Sequence, residues 1–195
     1  MYSKLPNMIY GFHGCHKDVF EKVICHGGQL DQSQNDYDWL GNGVYFWENN
    51  EERAEEWAAK RYGDDGRVIG AVLDLGNCLN LTDRHSTKLL KMAYEDLQQD
   101  YELVGKEMPR NKCTNESGDL LLRNLDCAII QKVHELNGLA EEPPFDAVRG
   151  VFFEGPTIGN SEFREQTHIQ IAVCNPNCIK GYFIPRKLDG NFQNP

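Results

Sequence analysis

Apolar positions along this chain repeat with two different periods, one typical of strands and the other of helices. A strand buries every second residue, whereas a helix buries residues three and four apart. The pattern predicts strands over 9–14, 43–47, 68–75, 148–153, 167–173 and 179–184, and helices over 17–25, 51–61, 86–104 and 119–136. The last strands follow one another without helices between them, which favours an α+β fold over a doubly wound parallel sheet.

The strand predicted over 167–173 has an apolar side and a polar side. Ile169, Ile171 and Val173 alternate along it and should face the core. His168 and Gln170 should then face the other way, into a cleft. A strand of this kind is a good platform for binding a polar ligand.

The length of 195 residues suits a single domain that spans 1–195. The helical pair within 85–147 is predicted to be an insertion in that domain. The chain contains no run of 18 apolar residues, so we expect no membrane span and no membrane partner. Residues 1–10 lack the basic-then-apolar order of a secretion signal, which makes a cytoplasmic location the expectation.

Charge and cysteine content narrow the classes of function. A net charge of −10 disfavours non-specific binding to a nucleic-acid backbone, which depends on clustered Lys and Arg. Seven cysteines, an odd number without a signal peptide, favour reduced thiols over a disulfide framework. The pairs Cys15-His16 and Cys25-His26 supply four potential zinc ligands, but their spacing differs from the usual zinc motifs, so we expect no metal site.

Three short motifs follow one another in an informative order. They are His13-Gly14, then GNGVYF at 41–46, then the segment His168-Ile169-Gln170 on the late strand. In this order they resemble the ADP-ribosyltransferase superfamily, in the branch that includes the poly(ADP-ribose) polymerases and the diphtheria-type toxins. Residues 70–79 (GAVLDLGNCL) also resemble a strand and turn of those polymerases. The resemblance covers 9–81 and 148–184, while 85–147 matches nothing.

The resemblance implies a split, twisted β-sheet with NAD in the cleft between its halves, plus an inserted helical pair. His13 would hydrogen-bond the ribose in the adenosine half of NAD, and the backbone of Gly14 would hold the nicotinamide carboxamide. Tyr45 would stack on the nicotinamide ring through its flat face. Family members place a loop over NAD just before the second motif, so the further candidate contacts are Ser33, Asp36, Tyr37 and Trp39 on that loop. Gly43 of the second motif is a further candidate for binding NAD.

A polar residue on the last strand would stabilise the reacting sugar. Loss of nicotinamide leaves positive charge on the ribose, and a nearby hydrogen-bond acceptor lowers that barrier. Many family members carry glutamate here, whereas this chain has Gln170, with Glu165 on the preceding loop as the alternative source of charge. An uncharged amide favours a single transfer over chain building. His168 and Glu165 would lie on the side that meets the acceptor.

The function implied by the resemblance is mono-ADP-ribosyl transfer from NAD to an intracellular protein or nucleic acid. The candidate catalytic residues are His13, Tyr45 and Gln170. The alternatives are an NAD glycohydrolase, which uses water as the acceptor, and a catalytically silent module that binds NAD or ADP-ribose. An RNA 2′-phosphotransferase would need clustered basic residues, and near the motifs the chain offers Arg53, Arg61, Arg149 and Arg164. The chain also resembles compact bacterial toxins and phage-defence effectors, which adds an antitoxin-like inhibitor to the partners considered.

Overall fold

The fold is α+β and is built on one open, mixed β-sheet. The computed structural model describes residues 8–113 and 118–192. Within them, seven strands lie in the order β4-β5-β6-β2-β1-β3-β7, and every neighbouring pair is antiparallel except β4–β5. The strands are β1 Ile9–His16, β2 Val44–Glu48, β3 Gly66–Leu73, β4 Cys78–Asn80, β5 Ala147–Phe152, β6 His168–Val173 and β7 Ile179–Phe183.

Four α-helices accompany the sheet in the described part of the chain. They are α1 Lys17–Phe20, which continues as a π-helical turn over Glu21–Cys25, α2 Glu51–Tyr62, α3 Arg84–Leu103 and α4 Asn124–Leu139. Short 3₁₀ turns lie at Gly63–Asp65 and Pro176–Cys178. None of the described helices combines the length and the apolar character needed to cross a bilayer.

The sheet separates two apolar cores. The first face carries Cys15, Phe46 and Ile171, which pack with the segment that follows β1. The second face carries Val148 and Ala172 among the residues that pack against α3 and α4. Ile171 and Val173 face the first core, as the alternation along β6 predicts.

The predicted α+β class is confirmed, but one strand was not predicted and one helix begins later than predicted. The strand predicted over 68–75 corresponds to β3, whereas β4, which pairs in parallel with β5, was not predicted. Only three residues long, β4 is too short to show a period of its own. Helix α4 begins at Asn124 rather than at 119, because the segment before it is extended and Leu122 bridges to Lys112.

The sheet opens between β1 and β2. Strand β1 pairs with β3 over eight residues, yet it pairs with β2 only at Gly11↔Glu48 and Phe12↔Trp47. If that ladder continued, Gly14 would stand opposite Tyr45. The sequence predicted a sheet split into halves, and the structure has one continuous sheet with this local opening.

Candidate functional site

A histidine side chain holds the opening between β1 and β2. His13 Nδ1 donates to the backbone carbonyl of Tyr45 at 2.7 Å, and it must carry the proton because a carbonyl oxygen only accepts. Residues 10, 12 and 14 of β1 direct both their backbone N–H and C=O toward β2, as the hydrogen bond from Asn49 N to Tyr10 O indicates. Gly14 N–H would therefore donate to that same Tyr45 carbonyl in a continued ladder. The imidazole takes its place.

Gly14 is left with a backbone N–H and a backbone C=O that face the opening. Strand β2 does not pair with it on that side, because the ladder ends at Phe12↔Trp47. Helix α2 lies close against the residue, and a Cβ built on Gly14 would stand 2.6 Å from the Ala54 carbonyl oxygen. Glycine is thus required here by packing, and the residue is buried beneath the helix.

Tyr45 stands across the opening from Gly14 and organises the turn before β2. Its hydroxyl donates to the Gly41 carbonyl at 2.6 Å and accepts from Leu40 N at 2.8 Å. Burial raises the pKa of Tyr45, so the phenol stays protonated. The ring remains partly exposed, but the hydroxyl forms its hydrogen bonds within the protein.

The loop before β2 is closed at its base by two of the predicted contact residues. Ser33 and Gly43 exchange both backbone hydrogen bonds, at 2.8 and 3.1 Å. Tyr37 lies farther out and is exposed, and its carbonyl accepts from Arg123 N at 3.3 Å. The structure therefore brings Ser33 and Gly43 to the opening beside Tyr45, and it places Tyr37 against the start of α4.

A buried polar cluster lies on the second face, on the far side of β2. His168 is fully enclosed, and its Nδ1 donates to the Gln166 carbonyl at 2.7 Å. Its Nε2 is 3.0 Å from Gln170 Nε2. Glu154 approaches His168 Nδ1 at 3.6 Å and binds Arg53 at 3.0 Å. Burial is the main cause that lowers the pKa of His168, so the ring is neutral at pH 7.

Aromatic rings cover this cluster, and one arginine holds the cover in place. The rings of Trp39, Trp47 and Phe152 all lie within 6.4 Å of the His168 ring, centroid to centroid. The Arg123 guanidinium stacks 4.1 Å over Trp39 and 4.8 Å over Phe152. Arg123 comes from the segment that leads into α4, so this segment contributes a wall to this part of the site.

Two hydrogen-bond donors in this region have no partner. Trp47 Nε1 and Arg53 Nε are buried, and no described group accepts from either atom. Unsatisfied buried donors are rare in native proteins and cost about 1–3 kcal/mol each.

Two of the candidate catalytic residues, His13 and Gln170, lie on opposite faces of the sheet. His13 shares the first face with Phe46, whose ring lies 5.9 Å from the imidazole. Gln170 stands opposite Trp47 in the β2–β6 ladder and so shares the second face. The structure joins His13 to Tyr45 and Gln170 to His168, and it does not bring His13 into contact with Gln170.

The two residues predicted on the acceptor side occupy different environments. Glu165 is exposed on the loop before β6, where its backbone N–H donates to Pro156 O at 3.1 Å. His168, whose side chain is 0% exposed, lies behind Gln170 and not at an acceptor surface. Strand alternation predicted that His168 faces a cleft. Alternation shows which side of the sheet a residue faces, but it does not show what covers that side.

Three members of the cluster, Arg53, Glu154 and Arg123, were not found from the sequence as neighbours of His168. Arg53 and Glu154 are 101 residues apart and belong to no common motif. Asn50 is the N-cap residue of α2. The cap fixes where the first turn of α2 begins, because the Asn50 side-chain oxygen accepts a hydrogen bond from the backbone N–H of Arg53.

The residues considered for other chemistries are engaged elsewhere. Burial raises the pKa of the Cys15 thiol to about 11, and no three described His, Cys, Asp or Glu side chains are grouped to hold a metal. The four arginines weighed for RNA binding pair with Glu154 (Arg53), Glu48 (Arg149) and Asp119 (Arg164), or lie against Trp57 (Arg61).

Comparison with known proteins gives no relative to argue from. No family model, no curated protein and no solved structure matches the chain. The geometry of the opening and of the cluster therefore carries the functional argument by itself.

Proposed function

We propose that the protein is an NAD-dependent mono-ADP-ribosyltransferase whose nicotinamide site is the opening between β1 and β2. The observation that carries the proposal is the unpaired backbone of Gly14. A primary carboxamide has an NH₂ group that donates and an oxygen that accepts, and these match the C=O and N–H that a single residue offers there. The His13–Tyr45 hydrogen bond keeps these two groups available by preventing the strands from closing.

The neighbouring groups suit the rest of the reaction. The partly exposed ring of Trp57 lies against Gly14, and that of Tyr45 belongs to the strand across the opening; both offer apolar faces to a heteroaromatic ring. The bond between ribose C1′ and the nicotinamide nitrogen breaks, and its electron pair leaves with nicotinamide. An acceptor nucleophile then attacks C1′ and loses a proton. Gln170 supplies an amide oxygen to the ribose as positive charge develops.

The uncharged amide of Gln170 favours one transfer per acceptor. It also keeps two alternatives open, namely hydrolysis of NAD by water and silent binding of NAD or ADP-ribose. An RNA 2′-phosphotransferase has less support, because each arginine near the motifs already pairs with a carboxylate or an aromatic ring. The acceptor proposed is a protein or a nucleic acid.

Release of nicotinamide from NAD labelled in the nicotinamide ring tests the proposal. The purified protein should release label, and His13→Ala should release at least about 100-fold less, the usual scale for losing one group that stabilises a transition state. His134→Ala is the matched control, since His134 is another partly buried histidine but lies on α4. No release by the natural chain, with or without cell lysate, would overturn the enzyme proposal.

A second measurement separates the open alternatives. NAD labelled in its adenylate should transfer label to macromolecules in a lysate if the protein is a transferase, and it should yield only free ADP-ribose if the protein is a hydrolase. Comparing Gln170→Ala with Glu165→Ala decides which side chain serves the ribose. We expect the larger loss for Gln170→Ala, because Glu165 is exposed on a loop.

A further inference from the structure

We propose that His168 is a positioning residue that holds the Gln170 amide with its oxygen turned toward the ligand, and that protonation of His168 reverses this orientation. The inference rests on the proposed role of Gln170 in nicotinamide cleavage. It adds to that role an orienting partner and a dependence on pH.

The hydrogen bonds around His168 leave one arrangement. Nδ1 stands 2.7 Å from the Gln166 backbone carbonyl, which accepts only, so Nδ1 carries the proton. In the neutral ring Nε2 is then an acceptor and requires a donor. Gln170 presents its amide nitrogen to that atom at 3.0 Å. The assignment of nitrogen and oxygen in Gln170 thus follows from the fixed backbone carbonyl on the other side of the ring.

The amide oxygen of Gln170 points away from His168 as a consequence. No described group donates to it, and the side chain is only half-buried, so the oxygen is available to a ribose hydroxyl. If the amide turned over, it would present two N–H groups to the ribose instead. Donors cannot stabilise a sugar that is gaining positive charge, so the orientation decides whether Gln170 assists the reaction.

Protonation of His168 turns its Nε2 into a donor. The amide nitrogen of Gln170 would then meet a second donor, and turning over places the amide oxygen on Nε2–H. The charged groups that face His168 are Glu154 from the loop after β5, Arg53 from α2 and Arg123 at the start of α4. Glu154 raises the pKa of His168 and the two arginines lower it, while burial, the largest cause, also lowers it.

The rate of nicotinamide release against pH is the first test. The natural protein should lose activity as the pH falls below the ordinary histidine value of 6.5. His168→Gln offers an amide oxygen to Gln170 but does not titrate, so it should keep the neutral rate within about threefold and lose the fall at acid pH. His168→Phe preserves the aromatic packing without an acceptor and should be at least about tenfold slower at neutral pH.

Some outcomes would overturn the inference. An unchanged acid limb in His168→Gln would do so, and so would a His168→Phe variant with the natural rate. Melting temperatures of both variants separate a folding defect from a loss of orientation.

Nuclear magnetic resonance of the natural protein decides the question without any activity. Two-bond proton–nitrogen spectra of the histidine rings should show His168 as the Nδ1–H tautomer at pH 7.5. The Gln170 side-chain amide signals should shift with the His168 titration. An Nε2–H tautomer, or Gln170 signals that ignore this titration, would overturn the inference. If no nicotinamide is released but these spectra are as expected, the proposed function fails while the orienting contact stands.

Discussion

The side chains of His13 and Tyr45 form hydrogen bonds with the backbone that shape the opening and the turn before β2. The His13 imidazole occupies the carbonyl that a ladder amide would take, so one side chain changes how two strands meet. Tyr45 uses its hydroxyl to close the turn at Leu40 and Gly41. The resemblance assigned both residues to NAD, and the structure gives each of them a structural contact in addition.

Removing the Tyr45 hydroxyl should destabilise the fold. In Tyr45→Phe the amide of the fully buried Leu40 loses its acceptor, which costs about 1–3 kcal/mol. Urea unfolding measures the change, and Tyr94→Phe on the exposed side of α3 is the matched control. Equal stability of the two variants would show that the hydroxyl does not hold the turn.

At the scale of elements, α2 sets the width of the site. The helix approaches β1 and β3 at two glycines, where an added Cβ would meet Ala54 O at 2.6 Å from Gly14 and Ala58 O at 2.7 Å from Gly66. Asn50 begins the helix by accepting from Arg53 N at 3.0 Å. The cap and the two glycines together place Arg53 within reach of Glu154.

Loss of the cap should weaken α2. Asn50→Ala removes the acceptor for the first-turn amide and should lower the free energy of unfolding by about 1 kcal/mol. Asn50→Ser keeps a capping oxygen and should recover most of that loss. Chemical denaturation of the three proteins measures both changes, and an equal loss in Ala and Ser variants would contradict the capping role.

Some elements could be predicted from the sequence because their patterns are local. The aromatic run at Val44–Glu48 and the alternation at Ile171 and Val173 depend on neighbouring residues alone, and both strands form where the pattern predicted them. The opening could not be predicted, because it depends on His13 reaching a carbonyl 32 positions away. The partners of the Arg53–Glu154 ion pair are 101 positions apart, so no local sequence pattern indicates that they meet.

For the whole molecule, three histidines make stability depend on pH. Burial is the main cause that lowers the pKa of His13, His134 and His168 below 6.5. The unfolded chain therefore binds more protons than the folded one just below pH 6.5. The stabilisation is complete above pH 6.5 and is lost as the pH falls through the lowered folded values.

Unfolding free energies at pH 7.5 and 5.5 test this dependence. We expect lower stability at pH 5.5 than at pH 7.5, because burial favours the neutral form of all three rings in the folded chain. His134→Asn removes one titrating group away from the opening and should flatten the dependence. The same stability at both pH values would contradict the assignment of three neutral, buried rings.

The most direct test of a nicotinamide site at the opening between β1 and β2 is to locate where NAD binds. Labelling only the 18 glycines with nitrogen-15 gives a spectrum with few signals, and NAD can be titrated into it. We expect the Gly14 amide signal to move most, with a smaller change at Gly43, while the signals of Gly138 on α4 and Gly190 near the C-terminus stay fixed. Saturable binding that leaves the Gly14 signal unmoved, or no binding at millimolar NAD, would contradict a nicotinamide site at the opening.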